Sequence, residues 1–510
     1  MQDSTPRFSS PESGFSKLIP GVYYLTGALI LTLAVRFYLF KNYYTINNDG
    51  ILYIEAARYF WDGNWTGGLG SYYPPLFPLL IAAAYPITGE WELAGQFWPL
   101  VLGVLVLFPL FGLIRRLYGQ KVALAALFFY AVSPYLSRLS LHVRSDIPYT
   151  FFLVLGLYFL QRGIDRGKLF WILGTGISAA LATLIRSEGV GLVIASTLYL
   201  VYRGWITRGL RRRWLQLGIL LLGFILFAAP YVLYLKWDTG NWLISRKAAL
   251  VLAIGLSEVD PSTRQFTMKE SDQVSIVSLI SPRPLAYAKK VFIDSFRSVG
   301  VYFEALHYSY LLFLFIGWFF YFRGKFWEKG DFFLVALIVF YLGVFALIYV
   351  NRRFAVPLVP FSLGWVGAGY LAFNEYIHRR WRRRAYLIMG AVLALFLAGT
   401  LPKTLKAIGR EKFYLRRAGL YLKGKPGNPT ILTSNGRVAF YAEGQNRIVL
   451  KDFGDLAGFE SVLDGDYLAL DEWVVDRADG GLKEHGWLLE REFSEGSREK
   501  LFVIRRQGVQ

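Results

Sequence analysis

Residues 20–63 read PGVYYLTGALILTLAVRFYLF, then KNYYTINNDG, then ILYIEAARYFWDG. The first of these stretches carries a single charge, Arg36, and matches the ~20 apolar residues needed to cross bilayer hydrocarbon. The second is polar and places Asn47-Asn48-Asp49-Gly50 directly after that span. In the third, apolar residues recur at helical spacing with Glu55 and Arg58 among them, up to Asp62-Gly63. That is the pattern of an amphipathic helix lying on a membrane surface. A span followed at once by a surface helix, with a carboxylate at the water–lipid boundary between them, predicts an α-helical polytopic membrane protein.

The rest of the chain agrees. Of its 510 residues, 55% are hydrophobic, 17% aromatic and only 18% charged. Mean hydropathy is +0.37. A chain this apolar needs an apolar solvent, which excludes disorder, a fibrous repeat and a purely cytosolic enzyme. It has no cysteine, so disulfides, thiolate-held zinc and thiol chemistry are excluded, and four histidines leave little for a histidine-rich metal site.

Apolar runs predict eleven transmembrane helices, near 20–40, 92–114, 121–137, 147–161, 169–185, 188–202, 214–236, 306–322, 332–350, 354–373 and 385–402. The pair 169–185 and 188–202 reads as two short helices or one broken one. One set of short loops holds nineteen Lys and Arg, among them Arg115, Arg116, Arg162, Arg211–Arg213, Arg323, Lys325, Lys329 and Arg379–Arg384; the opposite set holds seven. The contrast makes the nineteen cytoplasmic. It also accounts for the net charge of +20, as a topology signal and a contact for anionic membrane lipids, so no nucleic-acid partner is implied.

The expected organisation is then a cytoplasmic tail (1–19), a membrane domain (20–402) with outer loops 41–91 and 237–305, and an extracytoplasmic connector and small α/β domain (403–510). The tail domain is a different material. Residues 425–510 hold 11 basic and 15 acidic residues. Strand-like runs at Thr430–Thr433, Arg447–Leu450, Asp466–Leu470 and Lys500–Ile504 alternate there with helix-like stretches. The positive-inside pattern and the absence of a eukaryotic targeting signal point to a bacterial inner membrane.

The informative polar residues all fall on the expected outer face, and charges gathered at one membrane face need a partner. Asp49 reads either as a reactive carboxylate or as the cap of the surface helix, with Gly50 allowing a sharp turn after it. Tyr73-Pro74-Pro75 reads as a helix start with interfacial tyrosines. His142, Arg144 and Asp146 precede Pro148, where Asp146 could again be a cap. Arg186 and Glu188 flank the join of the fifth and sixth spans. Arg352 and Arg353 sit on the side that avoids basic residues, which favours a phosphate partner, since guanidinium binds phosphate oxygens bidentately. Lys247 lies in a loop with Thr239-Gly240-Asn241-Trp242 whose middle, Glu258 to Asp272, is polar. Carboxylates suit a general base acting on a hydroxyl, arginines a phosphate leaving group, and surface helices a lipid-linked substrate. Group transfer from a lipid phosphate uses all three.

These elements resemble the GT-C glycosyltransferases, in the branch of protein O-mannosyltransferases, lipid A aminoarabinose transferase and Rgt-like bacterial membrane transferases. The resemblance rests on Asp49 after the first helix, the stretch ending in Asp62-Gly63, Tyr73-Pro74-Pro75-Leu76-Phe77-Pro78, Arg144-Ser145-Asp146-Ile147-Pro148, Arg186-Ser187-Glu188-Gly189, Thr239–Trp242, and Arg352-Arg353-Phe354 with Pro357 and Pro360. It implies eleven to thirteen helices, a polyprenyl-phosphate sugar donor, a hydroxyl acceptor and inversion at the anomeric carbon. Asp49 would take the acceptor's proton. Asp146 would be the second acidic position, orienting the acceptor or helping to hold a metal. Arg353, with Arg352 or Arg186, would bind the donor phosphate, and Arg144, Glu188, Lys247 and Tyr73 would line the substrate. A divalent metal, if used, would be held by carboxylates. Tyr73 stands where the aminoarabinose transferase has Lys, which tells against lipid A as acceptor. The sequence has no P-loop and no dinucleotide fingerprint. A flippase for a lipid-linked glycan is the alternative; its charges should line a path across the bilayer, and here they cluster at one face.

Overall fold

The computed structural model describes residues 18–206, 210–259, 274–322, 331–443, 446–449, 465–475, 482, 486–496 and 499–507. The tail 1–17, the basic residues Arg208, Arg323, Lys325 and Lys329, and most of the polar stretch Glu258 to Asp272 lie outside them. The described chain is a bundle of helices followed by a small sheet domain.

Seven described helices are long and apolar enough to cross a membrane, and eight if the bent pair Pro284–Leu306 and Tyr308–Phe319 counts as one span. Four shorter apolar helices stand beside them: Leu76–Thr88, Gln120–Ala131, Leu169–Ile185 and Phe332–Ile348. Every one of the eleven expected runs is helical, though length alone qualifies only part of them as full spans. Leu18–Lys41 has 24 residues, which at ~1.5 Å per residue suffices for a ~30 Å hydrocarbon core.

Local chemistry sets where the helices stop. The run expected over 121–137 breaks after Ala131, because Pro134 cannot donate to a preceding turn and instead starts a short helix, Pro134–Leu139. The doubtful pair is two helices, Leu169–Ile185 and Val190–Ile206, joined through Arg186 and one turn over Ser187–Gly189. The helix Arg352–Arg380 runs through the middle of the bundle and is buried over most of its length. Aromatic rings fill the space around it: Phe129 meets Phe396 at 5.2 Å and Tyr310 and Phe313 at 5.7 Å each.

The expected outer loop 237–305 needs correcting. It contains the helices Ala248–Ser257, Ile276–Ile280 and Pro284–Leu306. The last is 23 residues long and turns by 83° into the next helix. Lys289, Lys290, Asp294, Arg297 and Glu304 hide it in the sequence. In the fold all of these but Lys289 find an ion-pair partner among the described residues: Arg297 with Glu258, Glu304 with Arg352, and Lys290, whose Nζ lies 2.9 Å from Asp294 Oδ2 and donates to the Ala346 carbonyl at 2.9 Å.

The sheet domain has five strands in the order β2-β1-β3-β5-β4, with β1 Thr430–Thr433, β2 Asn446–Val449, β3 Tyr467–Asp471, β4 Trp487–Ser494 and β5 Lys500–Arg506. β1 runs parallel to β2 and β3, and β5 antiparallel to β3 and β4. β4 was not expected, because its Leu-Leu-Glu-Arg-Glu-Phe run alternates poorly; its burial is confined to the ends. The helix Phe413–Lys423 covers one face of the sheet through Tyr414, Leu415, Ala418 and Leu422. Leu432, Leu468 and Trp487 form a second core on the other.

Candidate functional site

The site is assembled from four helix starts and two loops at one end of the bundle. The surface helix spans Asn48–Trp61, and its cap is Asn47, whose Oδ1 accepts from the Gly50 amide at 2.9 Å. Asp49 is therefore not the cap, and its side chain is free for other partners. Its Oδ1 accepts from the Tyr73 hydroxyl at 3.0 Å and its Oδ2 from Arg353 Nη1 at 2.5 Å, with Arg144 Nη2 at 3.7 Å. Gly50 does not turn the chain as expected. It is helical, and its use is close approach: a Cβ there would stand 2.9 Å from Val143 Cβ and 3.1 Å from the Val143 carbonyl oxygen. That contact brings the start of the surface helix against the loop that leads to Asp146.

Asp146 opens the helix Asp146–Arg166 and is fully buried. Its Oδ1 accepts from Arg186 Nη1 at 2.7 Å and its Oδ2 lies 3.4 Å from Arg353 Nη2. Arg353 thus spans both carboxylates. Arg186 also donates to Glu188 Oε1 at 2.7 Å, with its guanidinium 5.0 Å from the centre of the Phe354 ring. Tyr341 donates to the Glu188 carbonyl at 3.2 Å, fixing that turn. Lys247 Nζ sits 5.0 Å above the Tyr73 ring and 5.9 Å from that of Tyr72.

Eight of the nine expected site residues, all but Arg352, are thereby linked to one cluster. Arg352 turns away, pairing with Glu304 and lying 4.6 Å from the Tyr135 ring centre. Consecutive residues in a helical turn point in different directions, so Arg352 and Arg353 could not both face the carboxylates. The sequence reading missed Tyr53, which stacks on Tyr73 at 4.1 Å and shares a hydrogen bond with Ser145 Oγ at 2.8 Å. The signal was available: Tyr53 follows Asp49 by four residues on one helix and so shares its face.

Four cations (Arg144, Arg186, Lys247, Arg353) meet three carboxylates (Asp49, Asp146, Glu188), leaving one positive charge in excess. Burial would raise the Asp49 pKa, but Arg353, Arg144 and Lys247 outweigh it and hold the carboxyl below its usual range. Burial, followed by Tyr53 and Asp49, pushes the Tyr73 hydroxyl up. Burial, with Arg186 beside it, pushes Lys247 down to about 8 against the partial offset of Glu188 and Asp49. The Nε atoms of Arg144 and Arg353 are buried and find no acceptor among the described residues. The excess charge and these two orphan donors fit an oxyanion.

The carboxylates do not fit a divalent ion. Among the described residues no group of three or more His, Asp or Glu side chains is placed to hold a metal ion, and the Arg353 guanidinium pairs with both Asp49 and Asp146.

The chain is thus a helical membrane bundle with a small sheet domain, and its acidic and basic side chains gather at the end of the bundle beside a surface helix. Comparison with known proteins agrees. Residues 73–234 match the family model described as dolichyl-phosphate-mannose-protein mannosyltransferase. Over 96% of this chain and 98% of the other, the structure matches apo ArnT from Cupriavidus metallidurans with a TM-score of 0.60 at 14% identity. The same protein bound to undecaprenyl phosphate matches with a TM-score of 0.57 at 14% identity over the same shares. The archaeal oligosaccharyltransferase AglB from Archaeoglobus fulgidus, in complex with an inhibitory peptide and a dolichol-phosphate, matches at 0.53 and 13% identity, over 90% of this chain and 70% of that one. No curated protein sequence gives a significant match. The resemblance to GT-C glycosyltransferases is met in both fold and family model.

Proposed function

We propose that this protein is an inverting glycosyltransferase that moves a monosaccharide from a polyprenyl-phosphate-linked donor to a hydroxyl acceptor (glycolipid, polysaccharide or protein) at the extracytoplasmic face of a bacterial inner membrane, with its sheet domain on that face. The observation that carries this reading is the sharing of Arg353 between Asp49 and Asp146 inside a cluster of net positive charge. ArnT binds undecaprenyl phosphate and AglB dolichol-phosphate in their solved complexes, which supports a lipid phosphate as the occupant here.

The donor's phosphate lies against Arg353, Arg144 and Lys247, where the two unpartnered Nε–H groups meet its oxygens. Drawing Arg353 toward phosphate loosens its hold on Asp49 and raises that carboxylate's basicity. The acceptor hydroxyl then gives its proton to Asp49, and its oxygen attacks the anomeric carbon from the face opposite the phosphate. As the new carbon–oxygen bond forms, the bond from the anomeric carbon to the phosphate oxygen breaks. The electron pair leaves with polyprenyl phosphate, whose growing charge the guanidinium groups stabilise. Asp146, held by Arg186, keeps its contact with Arg353 as that side chain shifts and so limits how far it moves.

Asp49→Asn tests this. The variant should reach the membrane intact and lose transfer by about 10²- to 10⁴-fold, the usual worth of a positioned base. Mass spectrometry of cell-envelope glycolipids, polysaccharide and glycoproteins, with and without the active gene product, names the missing sugar and its acceptor. Transfer at the normal rate by Asp49→Asn would overturn the assignment.

A further inference from the structure

The segment Asn42–Asn48, which carries the chain from the first helix to Asp49, is gripped by the sheet domain. Tyr441, at the end of the short helix Gly436–Tyr441, accepts from the Ile46 amide at 2.8 Å and donates through the same hydroxyl to Glu92 Oε1 at 2.7 Å. Arg416 donates to the Tyr44 carbonyl at 3.1 Å, lies 3.8 Å from Glu92 Oε2 and stands 5.1 Å from the Tyr441 ring centre. On the connector, the Ile408 amide donates to the Asn42 carbonyl at 2.9 Å and its carbonyl accepts from the Tyr44 amide at 2.9 Å, a strand-like bridge. Gly409 follows with φ of +70°, and a Cβ there would lie 2.7 Å from the Thr45 carbonyl oxygen, so only glycine lets the connector lie this close. Beyond Asp49, Arg58 of the surface helix pairs with Glu443.

The grip is more than general packing. Ile46 is buried, and its amide lies three residues before Asp49 where no helix or sheet satisfies it. Its partner is a phenol that is 395 residues away in sequence and is itself oriented by a carboxylate of the membrane bundle. The Tyr441 hydroxyl therefore ties three bodies at one atom: the Asp49 segment, the bundle and the sheet domain.

We propose that Tyr441 is a positioning residue for Asp49, and that the sheet domain serves the reaction by fixing the segment that carries the base. This rests on the reading of Asp49 as that base. Loss of the hydroxyl leaves the Ile46 amide without its acceptor and lets the 42–48 segment move. A base displaced by a fraction of an ångström loses rate while the phosphate-binding cations, held by other elements, keep the donor.

The test uses the full-length protein in nanodiscs. Tyr441→Phe keeps the ring and removes the hydroxyl. The expected result is a fall in kcat of about 10- to 100-fold with the KM for lipid-linked donor unchanged, together with faster amide exchange over residues 42–50. Glu92→Gln, which retains an acceptor for the Tyr441 hydroxyl, should keep most of the activity, and Glu92→Ala should follow Tyr441→Phe. Glu492→Gln, exposed on β4 and paired with Lys500 of β5, should alter neither readout. Unchanged exchange over 42–50 in Tyr441→Phe would overturn the proposal, as would a KM rising in step with a falling kcat. Exchange is read whether or not sugar is transferred, so failure of the Asp49 reading shows separately, as an Asp49→Asn protein that remains active.

Discussion

Lys247 is the cluster's titratable cation. Burial and Arg186 bring it down to about 8 from an ordinary 10.5, so it carries its charge below about pH 8 and loses it above. The sign for stability follows from linkage. Between about pH 8 and 10.5 the unfolded chain binds the extra proton, so folding gains as pH rises there, and the cost of the buried ammonium is fully present below pH 8. The sign for binding is the opposite, because a phosphate favours the charged form. The KM for lipid-linked donor should be flat below about pH 7.5 and climb through pH 8–9, and Lys247→Arg should flatten that climb. Steady-state kinetics across that range decides it; a wild-type KM constant to pH 9 would remove Lys247 from the phosphate contact.

At the scale of elements, the join between the helices Leu169–Ile185 and Val190–Ile206 exists to present one side chain. Arg186 fills the space between Asp146 and Glu188, both of which it neutralises. Arg186→Met keeps the volume but strands two carboxylates, one of them fully buried. It should cost ~3 kcal/mol, at the low end for a broken buried ion pair because Arg353 still reaches Asp146. Thermal unfolding of the detergent-solubilised protein measures this, and an unshifted Tm would mean that water reaches the pair. The same join shows why part of the site was legible. Arg186, Asp146 and Arg353 stood out because membrane sequences rarely carry such charges at an apolar helix end. Arg352 misled because adjacency in sequence says nothing about direction in a helical turn. Glu304, its partner, lies in a helix that its own charges disguised, and Tyr441 meets Ile46 and Glu92 only through contacts hundreds of residues apart. Periodicity and charge bias report on one element at a time, so interactions between distant elements left no trace.

For the whole molecule, the composition offers a direct measurement of orientation. The chain has no cysteine, so a single introduced thiol is the only one. Leu488→Cys, on half-exposed β4 of the sheet domain, should react with a membrane-impermeant maleimide in intact spheroplasts. Arg383→Cys, in the exposed basic turn before the last helix of the bundle, should react only after permeabilisation. The reverse pattern would turn the molecule over and place the carboxylate cluster in the cytoplasm.

The Nε atoms of Arg144 and Arg353, two of several arginine Nε atoms without an acceptor among the described residues, bear on more than recognition. An orphaned buried N–H costs ~1–3 kcal/mol, and Arg144 and Arg353 each carry one. If the proposed polyprenyl phosphate supplies acceptors to these donors, adding it should raise the temperature at which the solubilised protein unfolds.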